Sequence, residues 1–425
     1  MSRTVVTSRG YLTIPASYFS AGLYETFRET RRKAARARHL SPPVPSMCTM
    51  VRSALTIAFV IPAAAQIIPG LAVPPSGNNQ IASVTQHIGP VRVTIDYSSP
   101  AVHGPDGSDR RGKIWGQLVP YGLTDLGYGH RKPAPWRAGA NENTVFTVSD
   151  NVSIEGKPLP AGRYGLHMIA GPEEWVIIFS KDANAWGSFY YEPAADALRV
   201  TVKPHKHEYR EWLTYEFTTR RPAESVAELQ WEELAVPWTI KVENIDDLYV
   251  SKLKENLTNV QGFGWRGWVA AAQFCAAHNT HLEQALEWAE VAVSKPFIGE
   301  RNFTTLTNKA QVLEKLGRKE EAKAAMQLAV HHPSATPLEL HQYGRRLLAE
   351  KNFKEALEVF QLNYQRNGDQ WPVHVGLARG YAASGDQKQA LEHARKAAAQ
   401  APDALNRKSL EAMVAALEAG KPIAQ

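Results

Sequence analysis

Ala322, Ala356 and Ala390 recur every 34 residues. Ala310, Gly344 and Ala378 stand twelve residues before them, and Ala329, Asn363 and Ala397 seven after, on the same period. A fixed period of this length is that of a two-helix unit stacked on copies of itself, so the last third of the chain must build an array rather than a globule around one centre. Small residues at the recurring positions let paired helices approach closely. Leu313, Leu347, Tyr381, Met326 and Phe360 then fill the space between units. Such an array is a surface for holding other chains, which argues for binding rather than chemistry in this part of the protein.

A degenerate unit precedes the regular ones. It begins near Trp265, and Ala285, Ala289 and Ala292 repeat the pattern of the second helix. Ala285 lies 37 residues before Ala322, so Lys295–Glu300 absorbs three extra residues. The period and offsets resemble the tetratricopeptide repeat, which implies four helical repeats over 265–402 and a protein or peptide partner. Ser409–Leu417, within a tail of 403–425, is expected to cap the last apolar face. Residues 243–264 read as a connecting helix, Asn244–Val260, broken by Gln261–Gly264.

Upstream the period changes from helical to two. Val91, Val93, Ile95 and Tyr97 alternate with polar residues, as on a half-buried strand. Further strands are expected at Lys113–Val119, Thr144–Ser149, Gly162–Ala170, Glu174–Lys181, Leu198–Lys203, Glu211–Thr219, Val226–Glu232 and Val236–Val242. Gly171-Pro172 and Glu155-Gly156 read as turns. Many short strands without helical period make 88–242 an antiparallel β-sandwich or jelly-roll-like domain. Trp115, Trp175, Trp212 and Trp231 are expected to fill its core. Residues 66–87, rich in Pro, Gly, Ser and Asn, read as a linker. The chain is thus multidomain, a β-sandwich followed by an α-helical solenoid. No βαβ alternation and no glycine-rich phosphate loop occurs, which excludes a Rossmann-type nucleotide enzyme.

The net charge of +6 invites a nucleic-acid reading. Residues 1–65, however, carry nine basic and two acidic side chains, leaving 39 of the 48 basic and 40 of the 42 acidic residues for the remainder. That near-neutral body has no electrostatic footprint for DNA or RNA. The basic stretch is a leader: Arg52 precedes an apolar run, Ala54–Ala65, too short for a membrane-spanning helix of roughly 20 residues. Ala63 and Ala65 form a small-x-small cleavage pattern before Gln66, and Met47 and Met50 offer alternative starts that would make 1–46 an over-extension. The expected location is exported, periplasmic or extracellular, without a stable transmembrane span. Cys48 precedes the apolar run, so it is not a lipid-acceptor cysteine. Cleavage leaves Cys275 alone, which removes any intramolecular disulfide or cysteine zinc site.

Ile95–Pro100, Lys113–Gly122, Trp136–Thr144, Leu159–Leu166 and Glu174–Phe179 occur in an order that resembles a family of exported bacterial proteins, domain of unknown function 2911. The resemblance covers 88–242 and implies an exported β-rich domain, with no reaction or ligand attached. Leu123–Pro135 are additional to the family pattern. Within the shared motifs, Arg137, Asn141 and Glu142 form the densest polar cluster. Arg supplies a planar fork for carboxylates, phosphates or sugar hydroxyls, and Asn and Glu add complementary donors and acceptors. With Lys113, Tyr121 and Trp136 they are candidates to line a groove for a glycan or small ligand. The competing reading is an Arg–Glu pair and an Asn turn that pin a loop.

His205 and His207 alternate at a strand end and His167 lies on another strand, so the three are metal candidates against a default of solvated or hydrogen-bonded histidines. No HExxH and no Gly-x-Ser-x-Gly sequence occurs. No catalytic residue, resident metal or cofactor is therefore expected. The functional expectation is an exported, non-enzymatic binding or scaffold protein. The alternative is a hydrolase of a glycan or ester with the repeats as targeting module. It would need paired carboxylates about 5–5.5 Å or 6.5–9.5 Å apart, with Glu142 and either Asp96 or Asp125 as the pair to inspect.

Overall fold

A computed structural model describes residues 79–423, together with a two-stranded ladder of Val5–Thr7 against Gly10–Leu12. The expected cleavage site, the apolar run, Cys48, the alternative starts and residues 66–78 of the expected linker lie outside the described residues.

The front half is antiparallel. In chain order its strands are β1 (Gln80–Ile88), β2 (Val91–Ser99), β3 (Thr124–Asp125), β4 (Pro133–Ala134), β5 (Thr144–Val148), β6 (Val152–Ile154), β7 (Lys157–Leu159), β8 (Gly162–Ile169), β9 (Trp175–Ser180), β10 (Asp196–Val202), β11 (His205–Arg220) and β12 (Glu224–Lys241). A six-stranded sheet runs β10-β9-β8-β5-β2-β1, and a four-stranded sheet runs β11-β12-β6-β7. The inward residues of both sheets share one core: Val93, Ile95, Phe146, Leu166, Met168 and Ile177 from the first, Leu213, Tyr215, Leu229, Trp238 and Ile240 from the second. Two sheets closing on one apolar layer make a sandwich.

Three expectations about the strands are corrected. Residues 80–87 belong to β1, whose nine residues all pair with β2. Ala82 and Val84 face inward, but Gln80, Ser83, Thr85 and Gln86 give it the polar character of an edge strand, which reads as linker. Lys113–Val119 is a compact loop, not a strand. Gly116 turns it at φ +83°, and the Val119 amide donates to the Ile114 carbonyl at 2.8 Å. Val226–Glu232 and Val236–Val242 fall largely in one strand, β12, kinked where Glu232 takes φ +56°. Of the four tryptophans expected in the core, Trp175 and Trp231 are fully buried, Trp115 packs against it from the loop, and Trp212 is exposed. Trp238 is a buried member the sequence reading passed over.

The back half is helical: α1 (Ile245–Leu257), then the pairs α2 (Trp265–His278) and α3 (Leu282–Ser294), α4 (Phe303–Lys315) and α5 (Lys319–His331), α6 (Pro337–Ala349) and α7 (Phe353–Asn367), α8 (Trp371–Ala383) and α9 (Gln387–Ala399), and finally α10 (Ala404–Glu418). Four antiparallel pairs followed by a single helix form a tetratricopeptide-like stack. Start signals are explicit. Asn302 with Thr305 and Thr336 with Glu339 form reciprocal caps, and Asp386 and Asp403 accept first-turn amides. The recurring positions are buried: Ala356, Ala390, Ala378 and Ala329 have no exposed surface.

Gly344 meets Phe360 rather than empty space. A Cβ on it would lie 2.4 Å from that ring, and Gly376 and Gly380 press on the same ring. Phe360 is thus a knob in a glycine-lined socket between the third and fourth units. Helix α1 is shared between the halves: Ile245 and Leu248 pack on the sandwich core, while Val250, Leu253 and Leu257 join the helical core. Cys275 is a buried apolar member of that second core. No helix among the described residues is long and apolar enough to cross a membrane.

Candidate functional site

One end of the sandwich opens into a cleft of about 440 Å³. Three loops build it. The first, 110–122, is anchored at both ends. At its start the Arg110 guanidinium donates to the carbonyls of Val102 (3.1 Å) and Ala101 (3.2 Å) and the Glu232 carboxylate accepts the Gly112 amide; at its end the Gly122 amide donates to the Ala170 carbonyl (2.9 Å). Its inner side carries Trp115, whose indole meets those of Trp136, Trp175 and Trp231 with centroids 5.2–6.1 Å apart. These edge-to-face contacts form an aromatic floor.

The second loop holds the polar motif. Trp136 exchanges two 2.8 Å backbone hydrogen bonds with Met168 on β8. The chain then turns through Ala138 at φ +54° and Asn141 at φ +54°. Left-handed backbone costs a non-glycine residue about 1 kcal/mol or more. It persists at Ala138 because the Ala138 carbonyl accepts from Tyr215 Oη (2.6 Å) and Thr144 Oγ1 (3.0 Å), both buried. Tyr215 is held at the far side by Tyr97, ring centroids 4.8 Å apart. Strain is thus imposed from two sheets on the loop that presents Arg137.

Arg137 lies between the loops. Its Nη1 donates to the Asn141 carbonyl at 2.8 Å and its guanidinium carbon stands 5.3 Å from the Phe189 ring centre. Phe189 belongs to the third loop, 181–192, where Gly187 makes the approach possible: a Cβ there would lie 2.9 Å from Arg137 Nη1. Burial pulls the Arg137 pKa below its ordinary value. Beneath lies His167 on β8, its Nδ1 2.9 Å from Ser188 Oγ, both side chains buried. Burial first, and the Arg137 charge second, depress its pKa to about 4, so the imidazole is neutral near pH 7. Among the described residues no carboxylate bonds the other ring nitrogen, so this serine–histidine contact lacks the third group of a catalytic triad.

Of the sequence candidates, Trp136, Arg137 and Asn141 line the cleft. Asn141 also accepts from Asn79 Nδ2 at 2.9 Å. Glu142 turns away and accepts from Ser98 Oγ at 3.3 Å, and the Arg137–Glu142 ion pair of the competing reading is not made. Lys113 is exposed on the first loop. Tyr121 stands outside the cleft, its ring against Gly116, while its neighbours Pro120 and Gly122 line the wall. Asp96 is exposed on the outer side of β2, and Asp125 is tied to the Gly127 amide at 2.8 Å. Neither they nor Glu142 line the cleft, and among the described residues no carboxylate stands in its wall. His205 and His207 sit apart at the start of β11, each turned to a backbone carbonyl, and no group of three metal-ligating side chains occurs among the described residues. The sequence reading missed Asn79, Arg110, Trp186, Ser188 and Phe189. Trp186-Gly187 in a turn-rich stretch was the available signal.

Residues 79–240 match the family model described as "Protein of unknown function (DUF2911)". That match spans the whole sandwich and all three cleft loops. No curated protein shows significant similarity to the chain. Among solved structures, YrrB, titled a TPR protein with an unusual peptide-binding site, is similar at 18% identity, covering 39% of this chain and 86% of its own, with a TM-score of 0.26. MamA 41-end from Desulfovibrio magneticus RS-1 is similar at 17% identity, covering 37% of this chain and 97% of its own, with a TM-score of 0.24. The repeat assignment stands on the helix pairs of this chain itself, whose starts at Phe303, Pro337 and Trp371 keep the 34-residue period.

Proposed function

We propose that the protein is an exported, non-enzymatic binding scaffold, in which the β-domain takes a small ligand or envelope component into its cleft and the helical repeats dock a partner protein or peptide. The observation that carries the reading is the make-up of the cleft wall: indole and phenyl rings with two guanidinium groups and, among the described residues, no carboxylate. That lining suits a recognition pocket, its volume is common for small-molecule sites, and the lack of a carboxylate pair among its described residues favours binding over hydrolysis. On the helical side, a second groove of about 320 Å³ between the second and third units is lined by Gln311, Met326, Tyr343, Arg346 and Glu350. Its mixture of an aromatic ring, an Arg and polar groups suits a peptide surface. Export is supported by the basic leader and the apolar run before Gln66.

The test uses the full chain with a photo-crosslinking residue at Gln311, and at exposed Lys408 as control. A discrete adduct from envelope material at Gln311 and not at Lys408 is expected. Identical adduct patterns at both positions would remove the docking reading. Mass spectrometry of the native protein should find an N-terminus at or near Gln66, and recovery of a peptide from 10–45 would remove the export reading.

A further inference from the structure

Arg137 is the least compensated charge in the cleft. Of its five N–H donors, one reaches a protein oxygen, the Asn141 carbonyl, and its face rests on Phe189. No carboxylate among the described residues lies within ion-pair reach of it, and none lines the cleft. A desolvated guanidinium without an anion is costly to keep in a fold. Here the cost is built in deliberately, since strained Ala138, Gly187 and the Tyr215 bond all serve to hold the side chain in place. The other cation, Arg110, commits Nε and Nη2 to backbone carbonyls, and His167 is neutral, so Arg137 is the cation with the most uncommitted donors. Around it the wall is apolar. Trp186, Leu118 and Leu126 are 52%, 48% and 37% exposed at the mouth, and Trp136 and Trp231 lie deeper.

We propose that the cleft binds a monocarboxylate with an apolar body, the carboxylate paired with Arg137 and the body laid along Trp186, Leu118 and Leu126. One planar guanidinium edge matches one planar carboxylate through two parallel hydrogen bonds. A phosphate monoester, with nearly two charges at neutral pH, would carry more charge than Arg137 alone can match. The proposal rests on the reading of the cleft as a ligand site and names the class of ligand.

The experiment titrates the full chain with four ten-carbon probes, decanoate, decyl phosphate, 1-decanol and decylamine, by calorimetry and tryptophan fluorescence. Decanoate should bind at least roughly tenfold more tightly than decanol, the scale of a hydrogen-bonded charge, and decylamine should bind weakest. Arg137→Gln should bring decanoate down to the level of decanol without weakening decanol. Arg137→Lys, which keeps the charge and loses the fork, should fall between, and serves if the Gln variant does not fold. Trp186→Ala, at an exposed position, should weaken decanoate and decanol together. Equal binding of decanoate and decanol overturns the carboxylate assignment and leaves the ligand site standing. Tighter binding of decyl phosphate overturns it in favour of phosphate. Binding of no probe, or binding indifferent to Trp186→Ala, overturns the assignment and the cleft reading together.

Discussion

The sandwich and the helical stack use opposite strategies to bury their apolar surface. In the sandwich, hairpins are tied together by partners far apart in sequence: β2 pairs with β5 across some fifty residues, and Ala138 is fixed by Tyr215, 77 positions away. One core runs from Ile88 to Val242. In the stack, each helix meets mainly its neighbours, and the core is handed from pair to pair. The sandwich can therefore hold one loop in a strained shape, because many distant elements share the load. The stack cannot, but it can lose or vary a unit locally. A rigid cleft belongs on the first, and an extended surface on the second.

The difference is sharpest under a large-to-small change in the helices. Phe360→Ala empties a socket lined by Gly344, Gly376 and Gly380, and should cost about 3–5 kcal/mol. Hydrogen exchange should accelerate in α6–α9 and leave β2, β5 and β8 protected; uniform acceleration in both halves would deny their independence.

Acid should weaken both halves through histidines whose burial disfavours the charged form. His167 in the sandwich and His341 in the stack have pKa values depressed to about 4, in both cases chiefly by burial. Their folded pKa lies below the unfolded value of about 6.5, so the unfolded chain takes up the proton first. The stability is fully present above about pH 6.5 and is lost as pH falls toward 4. Each is worth up to about 3 kcal/mol at 1.36 kcal/mol per pH unit. Urea titrations at pH 7 and pH 4.5 should show the loss, and His341→Phe should reduce the response of the helical transition alone, leaving the part due to His393, whose pKa burial also lowers.

Ala356→Leu should cost about 1–3 kcal/mol by overpacking a fully buried helix contact, with damage confined to the third and fourth units. Exposed Lys354→Leu should stay within about 0.5 kcal/mol. Equal melting temperatures for the two would show that the repeat register is misassigned. Smallest of all, Lys252→Ala breaks the 2.8 Å pair with Asp150 that links α1 to the sandwich, and should cost no more than about 1 kcal/mol.

The stack was legible because its period is its structure: the spacing of Ala322, Ala356 and Ala390 is the spacing of the helix pairs. What escaped was the seat of Phe360, whose ring meets Gly344 of its own unit and Gly376 and Gly380 of the next. In the sandwich, alternation revealed Val91–Tyr97, but β1 was hidden by edge-strand polarity and 113–119 read as a strand because its apolar residues serve a turn. The cleft was half legible. Trp136, Arg137 and Asn141 stood in one dense motif, whereas Arg110, Trp186 and Phe189 arrive from loops whose convergence depends on three-dimensional pairing. Glu142 shows the limit from the other side, since adjacency to Arg137 in sequence put it against Ser98 instead.

Helix α1 joins the halves with almost no slack. Val242 is buried in the sandwich core, Ile245 packs on that same core, and Val250 already lies in the next. A chain with a flexible tether would sample many separations, and the local concentration of one site at the other would follow the length of that tether. Here two residues, Glu243 and Asn244, separate the last residue of the sandwich core from the helix. The cleft and the repeat surface are held at one fixed vector, and a single residue inserted inside α1, between Leu248 and Val250, would turn one about the other by roughly 100° of helical turn.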